Sequence, residues 1–569
     1  MKKYRMTGCV LLCVLALAAG ACSDDDDSKK NPALDAGADV STGDAAGDAG
    51  STDTSNPQED TGSTPDGGSD AGDEDATADT GTQQPEFCAE NERVEAGACV
   101  ACADGKVSPA GADASGPDTV CGVDDACFAT LGVDCDTYQE AYLKADTQQA
   151  GAYFGMSVAM SDDEQTLFVG EPARLPLGAV YVFERDGSTW AQSAVLKPDV
   201  GGGRPNGTGG YGFGVSVDVD GDTLVVGDSL GGLVHVYTGS GDTWTAQATL
   251  TSSNFDDGDL FGGAIALSGD TLVVGAMTEK SDSSASAPDP DDNTGLEIGA
   301  AYVFERNGSD WTETHYIKPP NPTQNGYFGS NVDLDGDTMV ISSAYESSGA
   351  TGIGGDMMDT SAAQSGAVFV YGRSGSDWTL EHYIKASNAF MGANFGSSLH
   401  LSGDRLVVGA TREGTNATGA AYVFTRTGGT WTEEAYIKAS HPLEQNSQFG
   451  SRVALDADGD LLAVAAVLES GAGLGLNPDP STSTASLRSG AVFLYERDAS
   501  GTWSPLPYMK APNAGNSHYY GTSLACSGSG QHLFVGAAQE SGGAVGVNGD
   551  MTDQSASRAG AVYVNRVRP

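Results

Sequence analysis

Carboxylates are the side chains this chain supplies most freely for chemistry. Asp plus Glu number 78 against 28 Lys plus Arg, a net charge of −50. Two carboxylates can serve as general acid and base when the fold holds them a few ångströms apart. No spacing singles out one such pair, so a hydrolase acting on a glycan or other polymer is the alternative expectation, not the first. Neither Gly-x-Ser-x-Gly, nor His-Glu-x-x-His, nor a phosphate-binding glycine loop with its Lys is present. The seven histidines are scattered. His315 and His382 sit beside Tyr in equivalent repeats, and His235, His400 and His532 fall in predicted strands. So acidic a chain is not expected to bind nucleic acid or anionic lipid through a basic surface.

What must position these carboxylates is a repeat. Seven copies start at Phe154-Gly155, Phe213-Gly214, Phe261-Gly262, Phe328-Gly329, Phe395-Gly396, Phe449-Gly450 and Tyr520-Gly521. Each opens with a short alternating run and a tight turn such as Asp220-Gly221, a strong hairpin signal. An apolar strand such as Leu272-Val273-Val274-Gly275-Ala276 follows. After a loop comes Gly299-Ala300-Ala301-Tyr302-Val303-Phe304 or its equivalent, then a Trp-containing strand ending Tyr316-Ile317-Lys318. Four short antiparallel strands per unit predict a propeller blade, so the expected fold is an all-β, seven-bladed β-propeller over residues 136–569. The seventh copy ends near Tyr563-Val564 without its Trp strand. The segment Glu140-Ala141-Tyr142-Leu143-Lys144 matches Glu434-Ala435-Tyr436-Ile437-Lys438, so an N-terminal strand is expected to complete the last blade and close the ring. An open solenoid would need capping repeats, and none is seen.

Strand direction alternates within a blade, so the loops joining strands two and three share a face with the connections between blades. Long loops of this class occur in the third, fourth, sixth and seventh repeats. Three of them contain spaced acids: Asp289, Asp291 and Asp292; Asp356 and Asp359; Asp550 and Asp553. Variable loops on a rigid scaffold are the usual place for binding. A ligand site there, assisted by calcium, is one expectation, and solvated loops with no ligand are the other.

Phe-Gly, then Val-Gly-Ala, then Gly-Ala-x-Tyr-Val-Phe resembles the FG-GAP repeat, which builds the seven-bladed head of integrin α chains and occurs in bacterial surface proteins. The resemblance implies a propeller that binds a ligand without catalysing a reaction. It also implies a calcium loop between strands one and two. The nearest matches are Asp218, Asp220 and Asp222; Asp333, Asp335 and Asp337; and Asp456, Asp458 and Asp460. They are several residues shorter than the family's loop, and calcium wants six to eight oxygens. A proline after strand two stands only in the first copy, at Glu171-Pro172.

The remaining segments bear on location. Residues 1–21 join Lys2, Lys3 and Arg5 to a short apolar run and then Ala19-Gly20-Ala21-Cys22. This resembles a bacterial lipoprotein signal and implies acylation of Cys22, with an ordinary cleaved secretory signal as the alternative. Either exports the chain. The lipid reading anchors it to the bacterial cell envelope, at the outer membrane or cell surface, with no other membrane contact. Residues 22–87 form an acidic Asp/Ala/Gly/Ser/Thr tether expected to be disordered. Residues 88–135 hold Cys88, Cys99, Cys102, Cys121, Cys127 and Cys135, an even set that reads as disulfides in an exported chain. Cys526 is expected to be a buried free thiol. The chain is therefore read as an anchored lipoprotein with a monomeric head that recognises an extracellular protein or glycan. A purely structural envelope role is a third reading.

Overall fold

The structure, a computed structural model, describes residues 92–95, 98–101, 138–198, 212–414, 416–471, 473–478 and 487–568. The chain divides into two compact units. In the smaller one, Glu92–Glu95 and Ala98–Ala101 pair as an antiparallel ribbon with Val94 opposite Cys99. Cys22, the tether and Cys88, Cys102, Cys121, Cys127 and Cys135 lie outside the described residues, and of Cys99 only the backbone is described.

The larger unit contains seven four-stranded antiparallel sheets, each a blade. Blade five is the simplest: Phe395–Ser402, Arg405–Ala410, Ala420–Thr427 and Thr430–Ile437 pair in sequence order. Blade seven departs as expected. Its first three strands are Leu524–Cys526, His532–Ala537 and Ala561–Arg566, and its fourth is Gln139–Leu143 from the N-terminal side. Tyr142 lies opposite Tyr563, and Leu143 opposite Val562.

Blade packing explains the strand composition. Second strands are buried along their length, Arg405 alone being half-buried. A strand covered on both faces reads as a continuous apolar run such as Leu-Val-Val-Gly rather than an alternation. The core therefore lies between blades. One cluster joins Val340, Val368 and Val370 of blade four to Leu406, Val408 and Tyr422 of blade five.

The Phe-Gly and Gly-Ala pairs form the seams. Phe213, Phe328, Phe449 and Tyr520 make parallel bridges to Gly178, Gly299, Gly419 and Gly490 of the preceding blade, and Phe154 bridges Gly560 to close the ring. The approach is close enough that a Cβ on Gly178 would sit 2.2 Å from the Phe213 carbonyl oxygen, and one on Gly155 2.5 Å from that of Ala561. Gly155 also has φ +84, a conformation open to glycine. Each aromatic turns into its own blade. Phe395 meets Tyr422 edge-to-face at 5.3 Å, as Phe154 meets Tyr181 at 5.3 Å. Such pairs add about 0.5–1.5 kcal/mol beyond burial.

A second ring of contacts runs nearer the axis. In five blades the residue three places after the opening aromatic donates to a carbonyl of the next blade. Ser157 reaches Gly214, Ser216 reaches Gly262 and Ser398 reaches Gly450, each at 2.8 Å. Asn331 reaches Gly396 at 3.0 Å, and Ser523 closes the ring on Gly155 at 2.8 Å. Cys526 is a free thiol, but it is half-buried rather than buried, because its strand lines the axial channel.

Candidate functional site

The two faces of the propeller use their aspartates differently. On the face of the one–two turns, Asp218 of blade two accepts the Leu267 N–H of blade three at 2.7 Å, and Asp220 accepts the Gly269 N–H at 2.5 Å. Asp333 and Asp335 of blade four repeat this on blade five, accepting from Leu401 at 2.7 Å and Gly403 at 2.6 Å. Asp222 accepts from its neighbour Thr223, and the Asp337 carbonyl accepts the Arg373 N–H. In blade six, Arg568 from the end of the chain reaches Asp456 at 2.8 Å and Asp460 at 2.9 Å, while the Asp458 carbonyl accepts from Arg405. These nine aspartates therefore split into inter-blade hydrogen bonds, local turn contacts and a guanidinium clamp. Among the described residues no three His, Cys, Asp or Glu side chains converge as a metal-ligand set. The donor arrangement at these turns does not fit a calcium shell of six or more oxygens.

On the opposite face the long loops prove to be one repeated element. From Glu279, Glu346 and Glu540 alike, the loop aspartates follow ten and thirteen residues later. The second of them closes the loop. Asp292 accepts from Thr294 N–H at 3.0 Å and Asp282 N–H at 2.9 Å, and Asp359 accepts from Ser361 N–H at 2.9 Å and Gly349 N–H at 3.1 Å. Asp553 accepts from Ser555 N–H at 2.9 Å. Asp289, Asp356 and Asp550 accept the N–H two residues on, from Asp291, Met358 and Thr552. These are Asx turns, in which the carboxylate substitutes for a backbone acceptor. Hydroxyl and backbone donors hold Asp292, Asp359 and Asp550 below the usual carboxylate range. The long loops of blades four and seven also lie along their fourth strand, bridging Ile353 to Ile384 and Val547 to Leu143, and in blade six Leu476 bridges Met509, just past the short fourth strand. They cover one end of an edge strand.

A buried ion pair roots the loops. Lys318 meets Glu279 at 2.6 Å, Lys385 meets Glu346 at 2.6 Å and Lys144 meets Glu540 at 2.7 Å, and Lys510 pairs with Glu469; the short-looped blade five keeps a half-exposed version, Lys438 with Glu413 at 2.7 Å. The Glu uses its second oxygen to accept a loop N–H, from Ser281, Ser348, Gly471 or Gly542. The Lys also donates to Gly299 O at 2.8 Å in blade three and to Ser365 Oγ at 2.7 Å in blade four. Burial pushes Lys144, Lys318, Lys385 and Lys510 down while the partner Glu opposes it. Sequence reasoning passed over these residues. The signal was a Lys directly after four fourth strands, or shortly after the fourth strand in blade six, and a Glu three residues after the apolar second strand of the same blades.

Exposed apolar side chains are unevenly spread. Among the described residues, nine large hydrophobics are exposed. Leu175, Leu296, Met358, Leu474, Leu487 and Val545 lie on two–three loops, and Phe390 and Met391 on the connection from blade four to blade five. Only Tyr436 lies within a strand. Met358 is 68% exposed and Met391 65%. Eight of the nine therefore share one face. Three histidines are taken up structurally. His382 meets the Gly429 carbonyl, His532 lies between Glu140 and Arg185, and His441 packs against Tyr508 with the rings tilted, centroids 4.5 Å apart.

With the seams and loops in view, comparison with known proteins places the repeat. A family model described as the FG-GAP repeat matches residues 244–304, 311–371 and 378–424. Over those residues the chain carries FG-GAP repeats. Each match runs from the Trp strand of one blade to the third strand of the next, so the FG-GAP unit straddles the seam that the Phe-Gly and Gly-Ala pairs build. No curated protein matches the chain. Among solved structures it is similar to the RRP9 WD40 repeats, at 12% identity over 75% of this chain and 96% of that one, with TM-score 0.44. It is similar to U3-55K at 12% identity over 74% and 97%, with TM-score 0.43. It is also similar to a candidate 6-phosphogluconolactonase from Bacteroides uniformis ATCC 8492, at 10% identity over 63% and 86%, with TM-score 0.41.

Proposed function

We propose that this FG-GAP propeller is the non-enzymatic recognition head of an exported bacterial lipoprotein, and that its loop-rich face docks an extracellular protein. The gathering of eight of nine exposed large hydrophobics on that face carries the reading. Exposed apolar patches rimmed by polar groups mark interaction sites. These side chains are mostly Leu, Met and Val rather than the aromatic rings that stack on sugars, which favours a protein over a glycan. Asp282, Asp289, Asp291 and Asp292 share the blade-three loop with Leu296, so the fitting surface there is aliphatic and basic. Cys22 would carry the lipid, and the acidic segment 22–87 would hold the head away from the membrane.

Photo-crosslinkers at Met358, Met391 and Leu296, with controls at Asp310 and Asp377 on the opposite face, test the docking face in the native envelope. One saturable product from the loop positions and none from the controls is expected. Equal labelling of both faces would remove the reading. Release of product from an envelope polysaccharide, abolished by one carboxylate substitution, would replace it with the hydrolase. Cys22→Ala should abolish incorporation of labelled palmitate.

A further inference from the structure

In a ring of near-identical blades, the informative residues are those that break the repeat. The first strands line an axial channel of about 380 Å³. Three places after the opening aromatic, the blades carry Ser157, Ser216, Ala264, Asn331, Ser398 and Ser523, but blade six carries Arg452. Five places after it, four blades carry Ala159, Ala266, Ala454 and Ala525, whereas blades two, four and five carry Asp218, Asp333 and His400. All four departures line the same channel.

Arg452 gives up a structural contact to be there. The serines at its position donate to the next blade, while Arg452 donates only to the carbonyl of its own neighbour Ser451, at 2.7 Å. Among the described residues it has no ion-pair partner, although the chain has a large excess of acids. Asp218 and Asp333 each accept two backbone N–H groups, one on each carboxylate oxygen, which leaves each oxygen with further acceptor capacity. His400 accepts the Leu455 N–H on Nδ1 at 3.2 Å, which leaves the Nε2 proton as a donor. Burial, with Asp333 nearby, pushes Asp218 up to about 7. Repeat consensus broken at a cost in local hydrogen bonding is the pattern expected of a functional position.

We propose that the axial channel binds a small zwitterion, its anionic group on the Arg452 guanidinium and its ammonium group on the carboxylates of Asp218 and Asp333. A simple anion would face both carboxylates, and a simple cation would face the guanidinium, so a ligand bearing both charges matches the lining best. The volume lies in the range of small-molecule pockets. This site is independent of the loop face.

The test is calorimetric titration of the full chain with 6-aminohexanoate, hexanoate and hexylammonium. The zwitterion should bind at least about tenfold more tightly than either half-probe. Arg452→Ser installs the residue of four other blades. It should keep or raise the denaturation midpoint while weakening 6-aminohexanoate by about tenfold or more. The double variant Asp218→Asn/Asp333→Asn should bring the zwitterion down to the affinity of hexanoate. Absence of 6-aminohexanoate binding at millimolar concentration, binding no tighter than the half-probes, or unchanged binding by Arg452→Ser would overturn the assignment. None of these outcomes bears on loop-face crosslinking.

Discussion

The turn face and the loop face carry aspartates in similar local spacing, yet they put them to opposite uses. Asp218, Asp220, Asp333 and Asp335 reach across a seam and hold the next blade by its backbone. Asp292, Asp359 and Asp553 turn inward and close their own loops. One set contributes to assembly of the ring, and the other shapes a surface laid on a ring already formed. An acidic residue on this propeller is thus read from the face it occupies and the blade it touches. Its spacing alone does not separate a metal ligand from a turn.

The largest expected effect lies beneath the loop face, at its root. Lys385→Ala leaves the Glu346 carboxylate buried without its cation, which should destabilise the head by about 3–5 kcal/mol in denaturant unfolding. Lys385→Met with Glu346→Gln should recover much of that. If the single change costs no more than a surface substitution, the buried pairs do not hold the loops.

The next effect sharpens the contrast between faces. Asp333→Ala strips the partner from the Leu401 N–H, and should cost about 1–3 kcal/mol. Asp359→Ala should leave the denaturation midpoint unmoved and increase amide exchange only across residues 349–361. Equal destabilisation by the two would erase the distinction.

Acidity probes the seam in another way. Asp218 is pushed up to about 7 in the folded head, so folding favours its protonated form. Its contribution is present at low pH and is lost as pH rises through about 7. Asp259 and Asp456, pushed up to about 6, act in the same direction. Glu140 and Glu434, held below the usual range by cationic partners, lose their contribution as pH falls through the acid range. The midpoint is therefore expected to be higher at pH 5.5 than at pH 8, and Asp218→Asn should narrow that difference. A midpoint that rises from pH 5.5 to 8 would contradict it. The smallest effect on stability belongs to Met358→Ser, within about 0.5 kcal/mol by the same unfolding measurement, because the side chain is exposed.

Repetition made the fold legible. Seven Phe-Gly starts, the Asp-Gly turns and the match between Glu140–Lys144 and Glu434–Lys438 lead to the blades and to the ring closure that the pairing of Gln139–Leu143 with Ala561–Arg566 shows. The candidate site was legible only as a face. The loops looked like separate ornaments, because their common Glu root and Asx closures depend on which donors end up nearby. The Tyr-Ile-Lys ending read as the end of a strand, because its Glu partner lies 39 residues away in blade three, and 39 in blade four.

The amino-acid sequence by itself determined the period, the number of blades and the strand that closes them, because backbone pairing and alternate burial follow from local residue pattern. Tertiary structure decided what each charge does. Whether an aspartate staples a seam, caps a loop or faces the channel depends on distances between segments far apart in the chain, and local pattern carries no record of those distances.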